Sequence, residues 1–435
     1  MSYTFALCLG VLFGLGAVGA PLAYSMIIAS IAYLLMTGQD LGLVVEQMAQ
    51  GVLHNFVILA IPLFILSARI MSEGALTDRL LKFCMVIFGR FRGGLAHVNV
   101  FANLIFAGMS GSAIADAAGV GRVMISMMTK DKRYSPGFAA ALTVAAATIG
   151  PIFPPSIPFV QYCLVSDASI GYMFLGGIIP AFIMTGLLML TTAYVARKNK
   201  WRPDRTIDEI ATLRQIPGIT ARAFPALMLP VILLAGIYGG VTTPTEAAAV
   251  AAFYALVEAA FLYRAISARK FYTIFFESAH SGSLVGLIIA AAYIFNFVVT
   301  SANIPQLISA VIGNLHLTPI TFMLMANVIF LILGCFLDAT ISLLVVIPLF
   351  LPSCRAMGID LVYFGVVIVL NIMIGLTTPP YGILLFVVNA ITGIPYKDIV
   401  REVWKFIIAL LVVLLIITLC PSLVLWVPRM FGYKG

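Results

Sequence analysis

The sequence predicts an all-α, polytopic membrane protein built as an inverted repeat, with two re-entrant helical hairpins and two broken transmembrane helices. Three observations predict it. Of the 435 residues, 62% are hydrophobic and 10% are charged, and mean hydropathy is +1.11. That balance belongs to chains dissolved in a bilayer, and the apolar runs are continuous, unlike the alternating strands of a membrane β-barrel. Every Lys and Arg falls in seven short stretches: 69–92, 122–133, 197–222, 264–270, Arg355, 397–405 and 429–434. This spacing makes the net charge of +8 a topology signal under the positive-inside rule, not a patch for nucleic acid. Lastly, one polar tip and one Gly/Pro break interrupt apolar sequence in each half of the chain, at 108–116 and 150–156, then at 334–338 and 375–382.

Taken in order, residues 3–18 and 21–37 are apolar runs parted by Gly19-Ala20-Pro21, either one long tilted helix or two crossings. No charged segment precedes residue 5, so no cleavable signal peptide is expected. A polar interfacial segment at 38–50 leads to a crossing at 52–72. Residues 75–90 carry Asp78, Arg79, Lys82 and Arg90 and read as an amphipathic surface helix. The runs 93–108 and 112–129 are each short for a crossing and have positive charge at both outer ends. They predict a hairpin over about 93–129 that enters from the cytoplasm and turns at Ser110–Ser112. A broken helix at 135–166 and a crossing at 170–196 complete the first repeat, 1–196.

The linker 197–222 holds seven basic residues against Asp204, Asp208 and Glu209. The second repeat, 223–427, follows the same order. Crossings are expected at 223–240, 246–263 and 281–301, then a short arm at 303–316. A hairpin over about 318–352, a broken helix at 361–391 and a last crossing at 406–427 follow. Ala102-Asn103 recurs as Ala326-Asn327, and Ile149-Gly150-x-x-x-Pro154-Pro155 as Ile374-Gly375-x-x-x-Pro379-Pro380. If the first run pair is two crossings, each half has five crossings and one hairpin, and that odd count inverts the second copy. This is the plan of secondary transporters, with broken helices meeting at mid-membrane.

A hairpin tip and a broken helix both expose carbonyls and helix ends. Such backbone is tolerated in a membrane only where it is buried in protein or lines a cavity. Carbonyls, hydroxyls and one carboxylate make an oxygen cage that suits a monovalent cation better than Ca2+, which takes more anionic oxygens. The expected Na+ donors are Ser110, Ser112, Asp116, Gly150 and Pro151 in the first half, and Gly334, Asp338, Gly375, Thr377 and Thr378 in the second. Proton coupling through Asp116 or Asp338 is the alternative, and each aspartate also has the simpler reading of a helix cap. No Lys or Arg is expected at mid-membrane. An anionic substrate would therefore meet helix N-termini, hydroxyls and bound cations, with Asn103, Pro154, Ser156, Asn371 and Pro379 among the groups available. Gln161 and Asn327 are further polar groups there, and an interhelical hydrogen bond is the plainer role of each Asn or Gln.

At GMSGSAIAD (108–116), GPIFPPS (150–156), LGCFLD (333–338) and GLTTPPYG (375–382) the chain resembles the large membrane subunit of TRAP (tripartite ATP-independent periplasmic) transporters. The resemblance covers nearly the whole chain and departs at Cys335-Phe336, where the first tip has Gly111-Ser112. It implies a multi-pass protein of a bacterial or archaeal cytoplasmic membrane that imports a carboxylate, such as a sialic acid or a C4-dicarboxylate, by Na+ symport. A periplasmic binding protein would deliver substrate, a small four-helix membrane subunit would complete the complex, and hairpins and broken helices would move as an elevator. A stand-alone Na+- or H+-coupled carboxylate carrier is the alternative. A membrane enzyme would need nucleophile–base or metal-ligand clusters. The four histidines are isolated and the six cysteines (Cys8, Cys84, Cys163, Cys335, Cys354, Cys420) show no CxxC spacing, so no enzyme is expected.

Overall fold

A computed structural model describes residues 3–53, 55–72, 75–130, 132–201 and 216–435. His54 and most of the linker 197–222 lie outside the described residues. Among those described, the regular structure is helical: α1 (Tyr3–Ala17), α2 (Leu22–Thr37), α3 (Gly42–Leu53), α4 (Ala60–Ser72), α5 (Ala75–Phe88), α6 (Gly94–Ser110), α7 (Ala113–Ala118), α8 (Val120–Thr129), α9 (Pro136–Ala147), α10 (Ile157–Ser166) and α11 (Ile170–Lys198) make the first half. The second half holds α12 (Ile216–Tyr238), α13 (Pro244–Val257), α14 (Ala268–Ser301), α15 (Ile304–Asn314), α16 (Pro319–Phe336), α17 (Ala339–Ile341), α18 (Ile347–Ala356), α19 (Leu361–Gly375), α20 (Ile383–Thr392), α21 (Tyr396–Leu419) and α22 (Pro421–Met430). By length and apolarity seven described helices are able to cross a membrane, or eight if the bent pair Gly42–Leu53 and Phe56–Ser72, which meet at 64°, counts as one span.

The N-terminal alternative resolves to two helices. Gly19 takes φ +88° at the turn, and the Cys8 thiol reaches the Ala29 carbonyl at 3.3 Å, so α1 and α2 run antiparallel. Three boundaries differ from expectation. α14 is continuous from Ala268, not 281, because Glu277 and His280 sit inside a helix of 34 residues, about 50 Å long. The polar stretch expected at 38–50 is largely helical and meets the next segment at the bend rather than leading straight into it. The last crossing spans Tyr396–Leu419 and stops at Cys420-Pro421, where α22 begins.

The repeat is legible in the element order. The bent α3–α4 in one half stands where α14 stands in the other, and α5 where α15 stands. Both hairpins form: α6 against α7–α8, and α16 against α17, a π turn at Ser342–Val346, and α18. Both broken helices form as well, α9–α10 with an irregular stretch at 148–156 and α19–α20 with one at 376–382. The broken first helix, α11, α12, α13 and α14 lie between the two hairpins. Five crossings are an odd number, so the hairpins enter from opposite faces. The centre of the molecule is apolar and tightly packed: α9 and α19 are buried at every residue after their first. α9 packs on α21, α16 on α19, and α11 on α22 and α21.

Candidate functional site

Each hairpin tip is pinned to the break of its own half. α6 ends at Gly111, whose left-handed φ of +59° reverses the chain, and a Cβ there would come 2.5 Å from the Pro155 carbonyl oxygen. The Ile157 amide donates to Gly111 O at 3.3 Å, and in the second half the Gly382 amide donates to Cys335 O at the same 3.3 Å. Cys335 therefore does by backbone what Gly111 does, despite the difference in residue type. Gly334 and Gly375 let backbone cross backbone: a Cβ on Gly375 would lie 2.6 Å from Gly334 Cα. The halves also interlock, because α7 packs on α20 and α17 on α10, with Gln161 Nε2 donating to Thr340 Oγ1 at 3.3 Å.

The first tip gathers the predicted donors. Ser110 donates its hydroxyl to Asp116 Oδ1. Ser112 caps α7, accepting from the Ala115 amide at 3.4 Å. Asp116 is buried, and its Oδ2 has no hydrogen-bond partner. That oxygen points at Gly150, where a Cβ would overlap it. A buried carboxylate oxygen without a donor is costly in hydrocarbon, and it faces the carbonyl-bearing turn of the broken helix. Pro151 O accepts from the Ser156 hydroxyl and keeps its second lone pair, and Ser156 also caps α10 by accepting from the Phe159 amide at 3.1 Å.

The second tip is built differently. Asp338 is the N-cap of α17, accepting from the Thr340 amide at 2.8 Å, and it is half-buried. It takes the capping role that Ser112 has in the first tip, not the buried acceptor role of Asp116, so the two aspartates do different work. Thr377 and Thr378 both donate to Ile374 O, at 2.7 and 2.8 Å, which leaves their oxygen lone pairs as acceptors. Thr377 is buried, while Thr378 and Pro379 are partly open and Tyr381 is exposed.

Two of the predicted substrate groups are elsewhere. Asn103 is fully buried and donates to Asn99 O at 2.8 Å, and Asn99 donates to Thr143 Oγ1 at 2.7 Å, tying α6 to α9. Asn371, equally buried, donates to Asn327 O at 2.8 Å, and Asn327 to Thr418 Oγ1 at 2.8 Å, tying α16, α19 and α21. Asn371, Asn327 and Asn99 spend their donors on interhelical bonds, and Asn103 spends its own within α6 on Asn99, so these amides are committed to packing. Pro154 and Ser156 are buried as well. Sequence reasoning missed Asn99, Thr143 and Thr418; the i, i+4 spacing of Asn99 and Asn103 was the signal available. A cavity of about 970 Å3 lies away from the breaks, between α1, α15 and the second hairpin. Its walls are side chains such as Phe5, Leu9, Val299, Ile308, Met325 and Phe336, which offer a carboxylate no donor.

The family model for the DctM component of tripartite ATP-independent periplasmic transporters matches residues 9–423. The chain is 36% identical to the sialic acid TRAP transporter large permease protein SiaM of Vibrio cholerae, over 98% of each chain. It is 36% identical to the C4-dicarboxylate TRAP transporter large permease protein DctM of Pseudomonas aeruginosa, over 87% of this chain and 88% of that one. The crystal structure of the YdaH transporter of Alcanivorax borkumensis superposes with a TM-score of 0.59 over 87% of each chain at 15% identity, a likeness of fold.

Proposed function

This chain belongs to the DctM component family of TRAP transporters, multi-pass permeases of the bacterial inner membrane, and from that membership we propose that it imports a carboxylate by Na+ symport with an elevator movement. The observation that carries the proposal is the unpartnered, buried Asp116 Oδ2 held against Gly150. Na+ binds there, among Asp116, Ser110, Ser112 and the carbonyls of the turn at Gly150 and Pro151. A second Na+ binds where Gly334 crosses Gly375, with Thr377 and Thr378 as hydroxyl ligands and Asp338 fixing the tip. Each cation thus ties a tip to a break that a single backbone hydrogen bond already joins.

The substrate carboxylate lies between the tips. It meets the N-terminal ends of α7 and α20 and the open groups Ser112, Thr378 and Pro379, its charge balanced by the cations rather than by a basic side chain. The named substrates of similar permeases, sialic acid and C4-dicarboxylate, support the carboxylate class. The mobile body comprises both hairpins and both broken helices; α1–α4 and α12–α14 form the fixed scaffold, with a small membrane subunit beside it. A periplasmic binding protein supplies the substrate.

The test is uptake in proteoliposomes that contain this chain, its small subunit and the cognate binding protein. Asp116→Asn keeps shape and volume but removes the charge, and is expected to lower Na+-driven uptake at least tenfold, with the protein still folded by thermal melt. Undiminished uptake in that variant would remove the first cation site from the account.

A further inference from the structure

α14 runs unbroken for 34 residues and carries two polar side chains, Tyr293 and Asn296, three positions apart and so on one face. Each donates to a backbone carbonyl of another element. The Tyr293 hydroxyl reaches Leu164 O in α10 at 3.3 Å, and Asn296 Nδ2 reaches Leu344 O in the π turn of the second hairpin at 2.8 Å.

Neither carbonyl receives the amide four residues on. Leu344 stands four residues before Pro348, which has no N–H to return to it. Leu164 lies in the last turn of α10, where carbonyls are left over, and the amide four residues on, Ala168 N, goes to Ser166 Oγ at 3.3 Å. α10 and the π turn pack on each other. One face of α14 therefore supplies donors to two acceptors that lack their i+4 amide, on two adjoining elements. Asn296 Oδ1 is itself buried and without a partner, so the side chain is tied to this place through its donor alone.

We infer that Tyr293 and Asn296 are positioning residues for transport: together they hold the first broken helix and the second hairpin against the scaffold in the conformation seen here, and the carrying movement must break both bonds. The inference rests on the elevator reading, in which α14 stays fixed while α10 and the hairpin move. A carbonyl short of a donor is unfavourable inside a membrane, so the strength of these two bonds sets how much of the population rests in this conformation.

The test uses the full transporter with its small subunit, carrying C420S and spin labels at Val241→Cys in the α12–α13 turn and Ala356→Cys at the end of the hairpin; both positions are exposed. The label–label distance distribution is recorded in Na+ and in K+, with and without substrate. Two populations are expected. Tyr293→Phe, which keeps the packing, and Asn296→Leu are each expected to shift their ratio about threefold or more away from the present conformation, the size of one interhelical hydrogen bond in a membrane. The maximal uptake rate should change with KM unaltered. If wild type shows two populations and neither variant moves their ratio, the inference is overturned, even where thermal stability falls. If wild type shows one distance in all conditions, the elevator reading itself fails and takes the inference with it.

Discussion

Gly150 and Asp116 can be tested against each other at the scale of single atoms. Gly150→Ala would put a methyl group on Asp116 Oδ2 and displace the carboxylate without touching its charge. Its expected effect is a rise of tenfold or more in the Na+ concentration for half-maximal uptake, with the purified protein melting within a few degrees of wild type; an unchanged Na+ dependence would separate Asp116 from cation binding. Asp338 should behave otherwise. As an N-cap it is replaceable by Asn, which caps about as well, whereas Ala forfeits about 1 kcal/mol. Asp338→Asn is therefore expected to keep uptake within about threefold and Asp338→Ala to lose stability in a denaturation series; a collapse of uptake in both would make the charge of Asp338 a cation ligand after all. The sequence made Asp116 legible, because an acid beside a Ser-Gly-Ser tip in apolar sequence has few other uses. It did not distinguish the two aspartates, since a capping acid and a buried acceptor near a hairpin tip look alike until Ser110 and the Thr340 amide are seen to claim them.

Hairpins and broken helices are the elements on which the account depends, and Gly and Pro made them readable. Gly111, with φ +59°, and the paired prolines at 154–155 and 379–380 have backbone consequences that no neighbouring residue cancels. Charged residues misled instead. Glu277 lies inside α14, where it pairs with Arg69 of α4, and α21 begins at Tyr396, ahead of Lys397, Arg401 and Lys405, because helices continue through the interface that such residues mark. The crossing of Gly334 and Gly375 gives a prediction at this scale. In Gly375→Ala the new Cβ would meet rigid backbone at 2.6 Å, with no side chain to yield, so a loss of about 1–3 kcal/mol is expected. Thermal melting of the detergent-solubilised protein reads it, and a melt identical to wild type would mean that tip and break do not touch there.

For the molecule as a whole, the two halves present matched backbone bonds, Ile157 to Gly111 and Gly382 to Cys335, from hairpins that enter from opposite faces. They interlock through α7 with α20 and α17 with α10, which couples each tip to the break of the other half. In the proposed mechanism a cation that fixes one tip supports the surface on which the other closes, and substrate between them completes the body that moves. Membership in a family of periplasmic transporters and the inverted repeat were both legible in the sequence, the first from four motifs and the second from their spacing. The Asn–Thr bonds that tie the halves' inner helices were not, because each amide reads equally well as ligand or as glue. The central claim is that Na+ bound at the tips drives uptake. Its most direct test is uptake of sialic acid and of a C4-dicarboxylate, each with its binding protein, into proteoliposomes under an inward Na+ gradient and under an equal K+ gradient. The account predicts accumulation of one of them with Na+ alone, lost in Asp116→Asn; equal accumulation with K+ would contradict it.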